Sequence, residues 1–98
     1  MKRSPEIQIN NFQLAILLDD KQKEDYDFIL NRGVFCGKCH GICMQGIEVT
    51  TIILNSLNDI LVHGICNVCK SHVARTIEFG EDSTFYKKAN GFRKSISN

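Results

Sequence analysis

The chain has 98 residues, of which 43% are hydrophobic and 23% charged, the balance of a globular protein with one small core. Its formal net charge of +1 does not favour a general nucleic-acid binder, which is usually clearly basic. No signal-peptide pattern follows the basic start, and the longest apolar run (residues 14–18) is too short to span a bilayer. We therefore expect a single domain over residues 1–98 that is cytoplasmic and has no membrane partner.

Residues 1–18 are predicted to form an N-terminal arm. Ile7 and Ile9 alternate with polar residues, as in a β-strand, and favour a short strand or an extended segment. A helical face is the alternative reading of the second half of the arm, where the apolar residues are Leu14, Leu17 and Leu18.

Residues 19–33 are predicted to be a helix. Asp19 or Asp20 can cap its N-terminus, and Tyr26 and the residues three and four positions later share one face. Gly33 follows Arg32 as a stop signal. This helix delivers the chain to the first cysteine.

The second half of the chain is predicted to hold a hairpin, a helix and a tail. Residues 47–54 and 60–65 are rich in β-branched residues and flank a turn cluster, which is typical of a β-hairpin. Residues 66–79 change to a helical period, and residues 81–98 form a polar, basic tail. The apolar residues that set the helical period are Val68, Val73, Ala74 and Ile77.

Four cysteines form the strongest chemical pattern. Cys36 and Cys39 make one C-x-x-C pair, and Cys66 and Cys69 make a second pair after 26 intervening residues. Two thiolates separated by two residues can bind one ion from a tight turn, and two such pairs complete the tetrahedron that Zn²⁺ prefers. A pair of C-x-x-C motifs that bracket a hairpin, in a chain with no secretory signal, therefore predicts one structural zinc ion.

The sequence CGKC, a hairpin and then GICNVCKSH resembles zinc-ribbon and treble-clef modules over roughly residues 35–80. A ribbon would continue into a third strand after Cys69, whereas a treble clef would begin a helix at the second pair. The helical period favours the treble clef, and CNVC resembles the CNAC of GATA-type fingers. The resemblance implies a small α+β fold with a zinc module over residues 34–80. It implies only weakly that the module binds DNA.

Other residues near the pairs leave alternatives open. Cys36–His40 also matches the C-x-x-C-H haem-attachment pattern, which leaves the second pair unexplained. Cys43 can replace a ligand or act as a redox thiol, but a small half-buried residue is the simpler interpretation. His72 can serve as an alternative ligand, but a histidine beside the site or on the surface is the simpler interpretation. His63 is interpreted as a histidine on a sheet face.

We predict a protein that is not an enzyme, because four thiolates leave zinc no open position for water. The first functional hypothesis is a regulatory module that binds nucleic acid, and the second is a protein-interaction adaptor; a thiol redox sensor is more remote. Basic side chains on the predicted helix and tail can contact phosphates. The candidate contacts are Lys70, Arg75, Lys87, Lys88, Arg93 and Lys94.

Overall fold

A computed structural model describes residues 5–96, and the remaining parts of the predicted arm and tail, residues 1–4 and 97–98, lie outside the described residues. The predicted α+β class is confirmed. A short 3₁₀ turn (Phe79–Glu81) precedes the last helix. In chain order the elements are β1 (Ile7–Ile9), α1 (Asn11–Leu17), α2 (Asp20–Arg32), β2 (Phe35–Cys36), β3 (Gly41–Ile42), β4 (Ile47–Leu54), β5 (Ile60–Cys66), β6 (His72–Ile77) and α3 (Ser83–Ile96).

An antiparallel sheet with the order β1-β4-β5-β6 forms the centre of the fold, and β2 and β3 form a separate small hairpin. The predicted long hairpin is confirmed: Ile47 pairs with Cys66 at one end of β4–β5, and Leu54 pairs with Ile60 at the other. Eight residues of β4 place these two ends roughly 20 Å apart. The second cysteine pair therefore lies at the end of the sheet away from the hairpin turn.

The predicted helix over residues 66–79 is wrong, because this segment contains strand β6. Val73 and Ile77 are buried and lie on the face that packs into the core. The intervening Arg75 hides the two-residue period, since its guanidinium reaches out to donate to the carbonyl of Gly33 at 3.1 Å. The chain thus enters a third strand after Cys69, as in the ribbon alternative, and no helix begins at the second pair.

The strand predicted in the N-terminal arm is confirmed as β1, but residues 11–17 form helix α1. Asn10 caps this helix: its side chain accepts from the N–H of Gln13, and the Gln13 side chain accepts from the N–H of Asn10. This reciprocal capping box stabilises a helix of only two turns. The alternative interpretation of this segment, a helix with one apolar face, is therefore the correct one. This face buries Leu14 and Leu17.

Helix α2 confirms the predicted helix of residues 19–33. The Asp19 side chain accepts from the N–H of Gln22 at 2.8 Å, and the Gln22 side chain accepts from the N–H of Asp19. Gly33 follows the last helical residue, and its N–H donates to the carbonyl of Ile29.

The predicted polar tail forms helix α3 instead. Asp82 accepts from the N–H of Phe85 at 2.9 Å, which satisfies an N–H group of the first turn. Phe85 and Ala89 are fully buried, and Phe92 packs against the same core. Apolar residues at i, i+4 and i+7 therefore attach the tail to the domain.

The buried side chains form two clusters, one at each end of the long hairpin. The tip end, beside the hairpin turn, contains thirteen of the described residues from β1, α1, α2, the sheet and α3. The knuckle end contains five, three of which are cysteines: Val34, Cys36, Cys43, Cys66 and Val73. Leu30 and Ile47 pack against both clusters and join them.

A polar network attaches α3 to the hairpin turn at the tip end. The Arg93 guanidinium donates to Asn58 Oδ1 at 2.8 Å and to the carbonyls of Asn55 and Pro5. Asn58 is 1% exposed and donates to Asn90 Oδ1. Within residues 5–96, every buried side-chain nitrogen and oxygen has a partner. The tip end is thus stabilised by packing and by hydrogen bonds together.

Gly80 is required where the 3₁₀ turn crosses the hairpin turn. A Cβ at this position would lie 2.4 Å from the carbonyl oxygen of Leu57. The N–H of Gly80 also donates to Asp59 Oδ1 at 2.8 Å. Burial raises the pKa of the Asp59 carboxyl. Any larger residue here would push α3 away from the turn.

Among residues 5–96, no helix is long and apolar enough to cross a membrane.

Candidate metal centre

The first knuckle consists of residues 36–39 and connects β2 to β3. Cys36 is fully buried at the end of β2, whereas Cys39 is exposed after a two-residue turn. The N–H of Cys39 approaches Cys36 Sγ at 3.5 Å. His40 then adopts a φ of 58°, which reverses the chain into β3.

The second knuckle consists of residues 66–69 and connects β5 to β6. Cys66 is fully buried and Cys69 is half-buried. The N–H of Lys70 donates to the carbonyl of Cys66 at 2.9 Å, and Lys70 has a φ of 65°. Both knuckles therefore share one construction: a strand, two cysteines around a tight turn, a left-handed residue and a returning strand.

The four sulfurs of the two knuckles converge. Their Sγ atoms all lie within 4.8 Å of one another. Cys36 Sγ is 3.4 Å from Cys69 Sγ, and Cys39 Sγ is 3.9 Å from Cys66 Sγ. A tetrahedral zinc ion with bonds of about 2.3 Å holds its sulfurs about 3.8 Å apart, so the spacing fits one ion. The structure thus brings together all four predicted ligands.

Disulfides do not account for this arrangement. Sulfurs at 3.4 Å and 3.9 Å are far outside the bonding distance of about 2.05 Å. None of the five cysteines forms a disulfide. Haem attachment does not account for it either. That pattern uses only the first knuckle, whereas each close sulfur contact joins one knuckle to the other.

The two knuckles differ in how they stabilise thiolates. Backbone N–H groups of Cys69 and Val68 lower the pKa of the Cys66 thiol. Hydrogen bonds from the hydroxyl and then the N–H of Ser71 lower the pKa of Cys69 to about 6. Hydrogen bonding with the Cys69 thiol is the main factor that raises the pKa of Cys39 to about 12. A bound cation deprotonates its thiol ligands, so it would supply the stabilisation that the Cys39 thiolate lacks.

Cys43 lies beside the metal centre but is not one of the four converging cysteines. It is 1% exposed and packs with Val34, Cys66 and Val73. Burial is the main cause that raises the pKa of its thiol to about 12. Its N–H donates to the carbonyl of Val34 at 2.8 Å, which ties the strand after the first knuckle to the chain before it. The structure makes Cys43 a core residue, more buried than the sequence indicated.

The basic residues proposed as phosphate contacts are spread over three parts of the fold: the second knuckle, β6 and α3. Lys70 lies at the second knuckle, and Arg75 contacts the carbonyl of Gly33. Lys87 and Lys88 lie on α3, whose buried residues pack into the cluster at the tip end. Lys94 is on the same helix as Arg93, whose guanidinium is occupied by the polar network.

An apolar surface lies beside the first knuckle and was not predicted from the sequence. We call Phe35, Ile42 and Met44 the knuckle patch; they are 62%, 41% and 80% exposed. Phe35 and Ile42 are direct neighbours across β2–β3. Ile42 and Met44 line a cavity of about 310 Å³ together with Asn31 and Arg32. Large apolar residues on both sides of a C-x-x-C pair were the available signal for this surface.

Comparison of the chain with protein-family models, with curated proteins and with solved structures finds no significant match. The four-cysteine cluster suggests a zinc-binding site, and no family is identified.

Proposed function

We propose that this chain is a non-catalytic binding module whose knuckle end is held together by one structural zinc ion. The observation that carries the proposal is the convergence of four Sγ atoms within 4.8 Å. Four thiolates complete the coordination of zinc and leave no position for water or a substrate. The ligands would be Cys36 and Cys39 from the first knuckle and Cys66 and Cys69 from the second.

The zinc ion would join the small β2–β3 hairpin to the main sheet. The first knuckle rests on two-residue strands and few buried neighbours, so packing alone gives it little stability. A bound metal ion supplies the stabilisation that so small a core lacks. With four thiolates and one zinc ion, the formal net charge changes from +1 to about −1.

Native mass spectrometry with elemental analysis of reduced protein tests the metal assignment. We expect one zinc per chain, and Cys66→Ser should lose it. Cys43→Ser is the matched control, because Cys43 lies in the same cluster outside the four converging sulfurs and should keep the metal. Folded, reduced protein that contains no metal would overturn the proposal.

For the partner, we propose a protein segment that binds the knuckle patch. Isolated exposed apolar residues are common, whereas a contiguous group beside a cavity is typical of an interaction surface. Phe35 and Ile42 pair across two strands, and Met44 continues the surface into the cavity. An apolar side chain of the partner would fill this cavity.

The charge around the patch favours an acidic partner. Arg32 is the charged residue that lines the cavity, and residues 28–47 contain no Asp or Glu. A carboxylate beside the inserted apolar side chain would therefore find a guanidinium in reach. Nucleic acid is the weaker candidate, because the proposed basic contacts are spread over the second knuckle, β6 and α3, and two of them, Arg75 and Arg93, donate to groups of the protein itself.

Selection from a displayed library of random peptides tests this partner class. We expect enriched peptides to combine an apolar and an acidic residue, and Met44→Asp should abolish their binding. Leu57→Asp is the matched control, since Leu57 is 61% exposed but lies in the hairpin turn. Enrichment of basic peptides would overturn the proposal, as would tight binding of a labelled oligonucleotide that weakens steeply with salt.

A further inference from the structure

Two histidines face each other on the open side of the sheet. His63 Nδ1 lies 3.2 Å from His72 Nε2. The ring centroids are 5.2 Å apart and the ring planes are inclined by 32°. The nearest nitrogens are thus much closer than the ring centres, so the two rings meet by their nitrogen-bearing edges and are not stacked.

The sheet holds this pair in place. His63 pairs with Ala74, and His72 pairs with Ile65, so the histidines are diagonal neighbours on β5 and β6. Side chains at such positions are within reach of each other when they are long or aromatic. Val62 and Val73 beside them point into the cores, which leaves the two imidazoles on the opposite, open face. Ala74 opposite His63 presents only a methyl group, so no large side chain of β6 lies opposite His63.

We propose that His63 and His72 form a second metal site, which binds one divalent transition-metal ion independently of the cysteines. An imidazole nitrogen coordinates zinc at about 2.0–2.1 Å. Two nitrogens 3.2 Å apart at that distance subtend an angle of roughly 100° at the ion, between the octahedral and tetrahedral values. Two rings on one such ion have their centroids about 5 Å apart, close to the observed separation.

The ligand chemistry selects the class of metal. Imidazole suits Zn²⁺, Ni²⁺ and Cu²⁺, whereas Mg²⁺ and Ca²⁺ prefer oxygen ligands. Within residues 5–96, the cysteine cluster is the one group of three or more Cys, His, Asp or Glu with ligand atoms close enough to share an ion. Water therefore fills the remaining positions at the histidine pair. The site is open and exchangeable, unlike the closed cysteine site.

Each ring must present a lone pair to the ion. His63 would coordinate through Nδ1 and keep its proton on Nε2, and His72 would coordinate through Nε2 and keep its proton on Nδ1. In the metal-free protein one of the two facing nitrogens carries a proton and donates to the other. Binding thus needs a tautomer change in one ring and no movement of the backbone.

Titration of the full chain with Ni²⁺ tests the site, with the cysteine cluster loaded beforehand with one equivalent of zinc, unbound zinc removed by dialysis, and zinc release measured in parallel. We expect one additional Ni²⁺ per chain and selective broadening of the amide NMR signals of residues 62–64 and 72–74, because Ni²⁺ is paramagnetic. His72→Gln, at an exposed position, should weaken Ni²⁺ binding at least tenfold. His63→Gln should act in the same way.

His40→Asn is the matched control, because His40 is the third histidine, is exposed and has a φ of 58° that Asn tolerates. This variant should bind Ni²⁺ like the unmodified protein. Equal affinity in His72→Gln, or broadening centred on the knuckles with release of zinc, would overturn the proposal.

Discussion

The two ends of the long hairpin are stabilised in different ways. The tip end buries thirteen of the described residues from most elements of the fold and adds the polar network of Arg93. The knuckle end buries five, of which three are cysteines, and it includes a hairpin of two-residue strands. The tip end is stabilised by apolar packing. At the knuckle end, four converging cysteines occupy the position that an apolar core takes at the tip end. The same chain thus combines a conventional small core with a cysteine cluster that could hold one metal ion.

The largest expected effect is that of metal removal, which should destabilise the knuckle end far more than the tip end. Structural zinc contributes apparent free energies of about 10–16 kcal/mol in zinc-finger peptides, as much as the whole stability of a typical domain. We expect a chelator to abolish hydrogen-exchange protection around residues 34–43 and 64–73. Protection at residues 52–54 and 60–62 should persist, because these residues belong to the packed core. Uniform loss of protection would contradict the separation of the two ends.

A cavity in the tip end should produce the complementary result. Phe85 is 1% exposed and packs against Phe79, with ring centroids 5.5 Å apart. Phe85→Ala should lower the free energy of unfolding by about 3–5 kcal/mol without changing the zinc content of the folded fraction. Chemical denaturation and elemental analysis measure the two quantities. Phe28→Ala is the control, since Phe28 is 66% exposed and should change stability by less than about 0.5 kcal/mol.

The smallest expected effect concerns the polar network. Arg93→Lys keeps the positive charge but loses the planar group that reaches Asn58, Asn55 and Pro5 together. We expect a loss of about 2 kcal/mol, since hydrogen bonds of charged groups contribute about 1.5–3 kcal/mol. Lys87→Ala on the same helix should be nearly neutral. If both variants unfold at the same denaturant concentration, Arg93 is free to contact another molecule.

Much of the fold follows from local sequence signals. Asp19 and Gly33 delimit α2, and the β-branched run from Ile47 identifies the long hairpin. The spacing of the cysteines identified all four residues whose sulfurs converge. These predictions succeeded because capping, β-branching and C-x-x-C turns act between residues close in the chain.

The wrong predictions concern segments that depend on distant residues. The strand after Cys69 looked helical because Arg75 interrupts its alternation, and the partner of Arg75, the carbonyl of Gly33, cannot be read from the local sequence. No helix was predicted in the tail because Arg93 and its neighbours are polar, although Phe85 and Ala89 have a helical spacing. The knuckle patch was missed for a similar reason, since only the β2–β3 pairing brings Phe35 beside Ile42.

The order of strands has a consequence for how the chain folds. Strands β4, β5 and β6 follow one another with short connections, so their contacts are local and inexpensive in loop-closure entropy. Strand β1 pairs with β4 across a long stretch of chain, so this pairing costs more loop-closure entropy. The second knuckle lies inside this meander and is shaped when it forms, whereas the first knuckle lies outside it. We therefore expect the first knuckle and β1 to be late additions to a nucleus formed by the three-stranded meander.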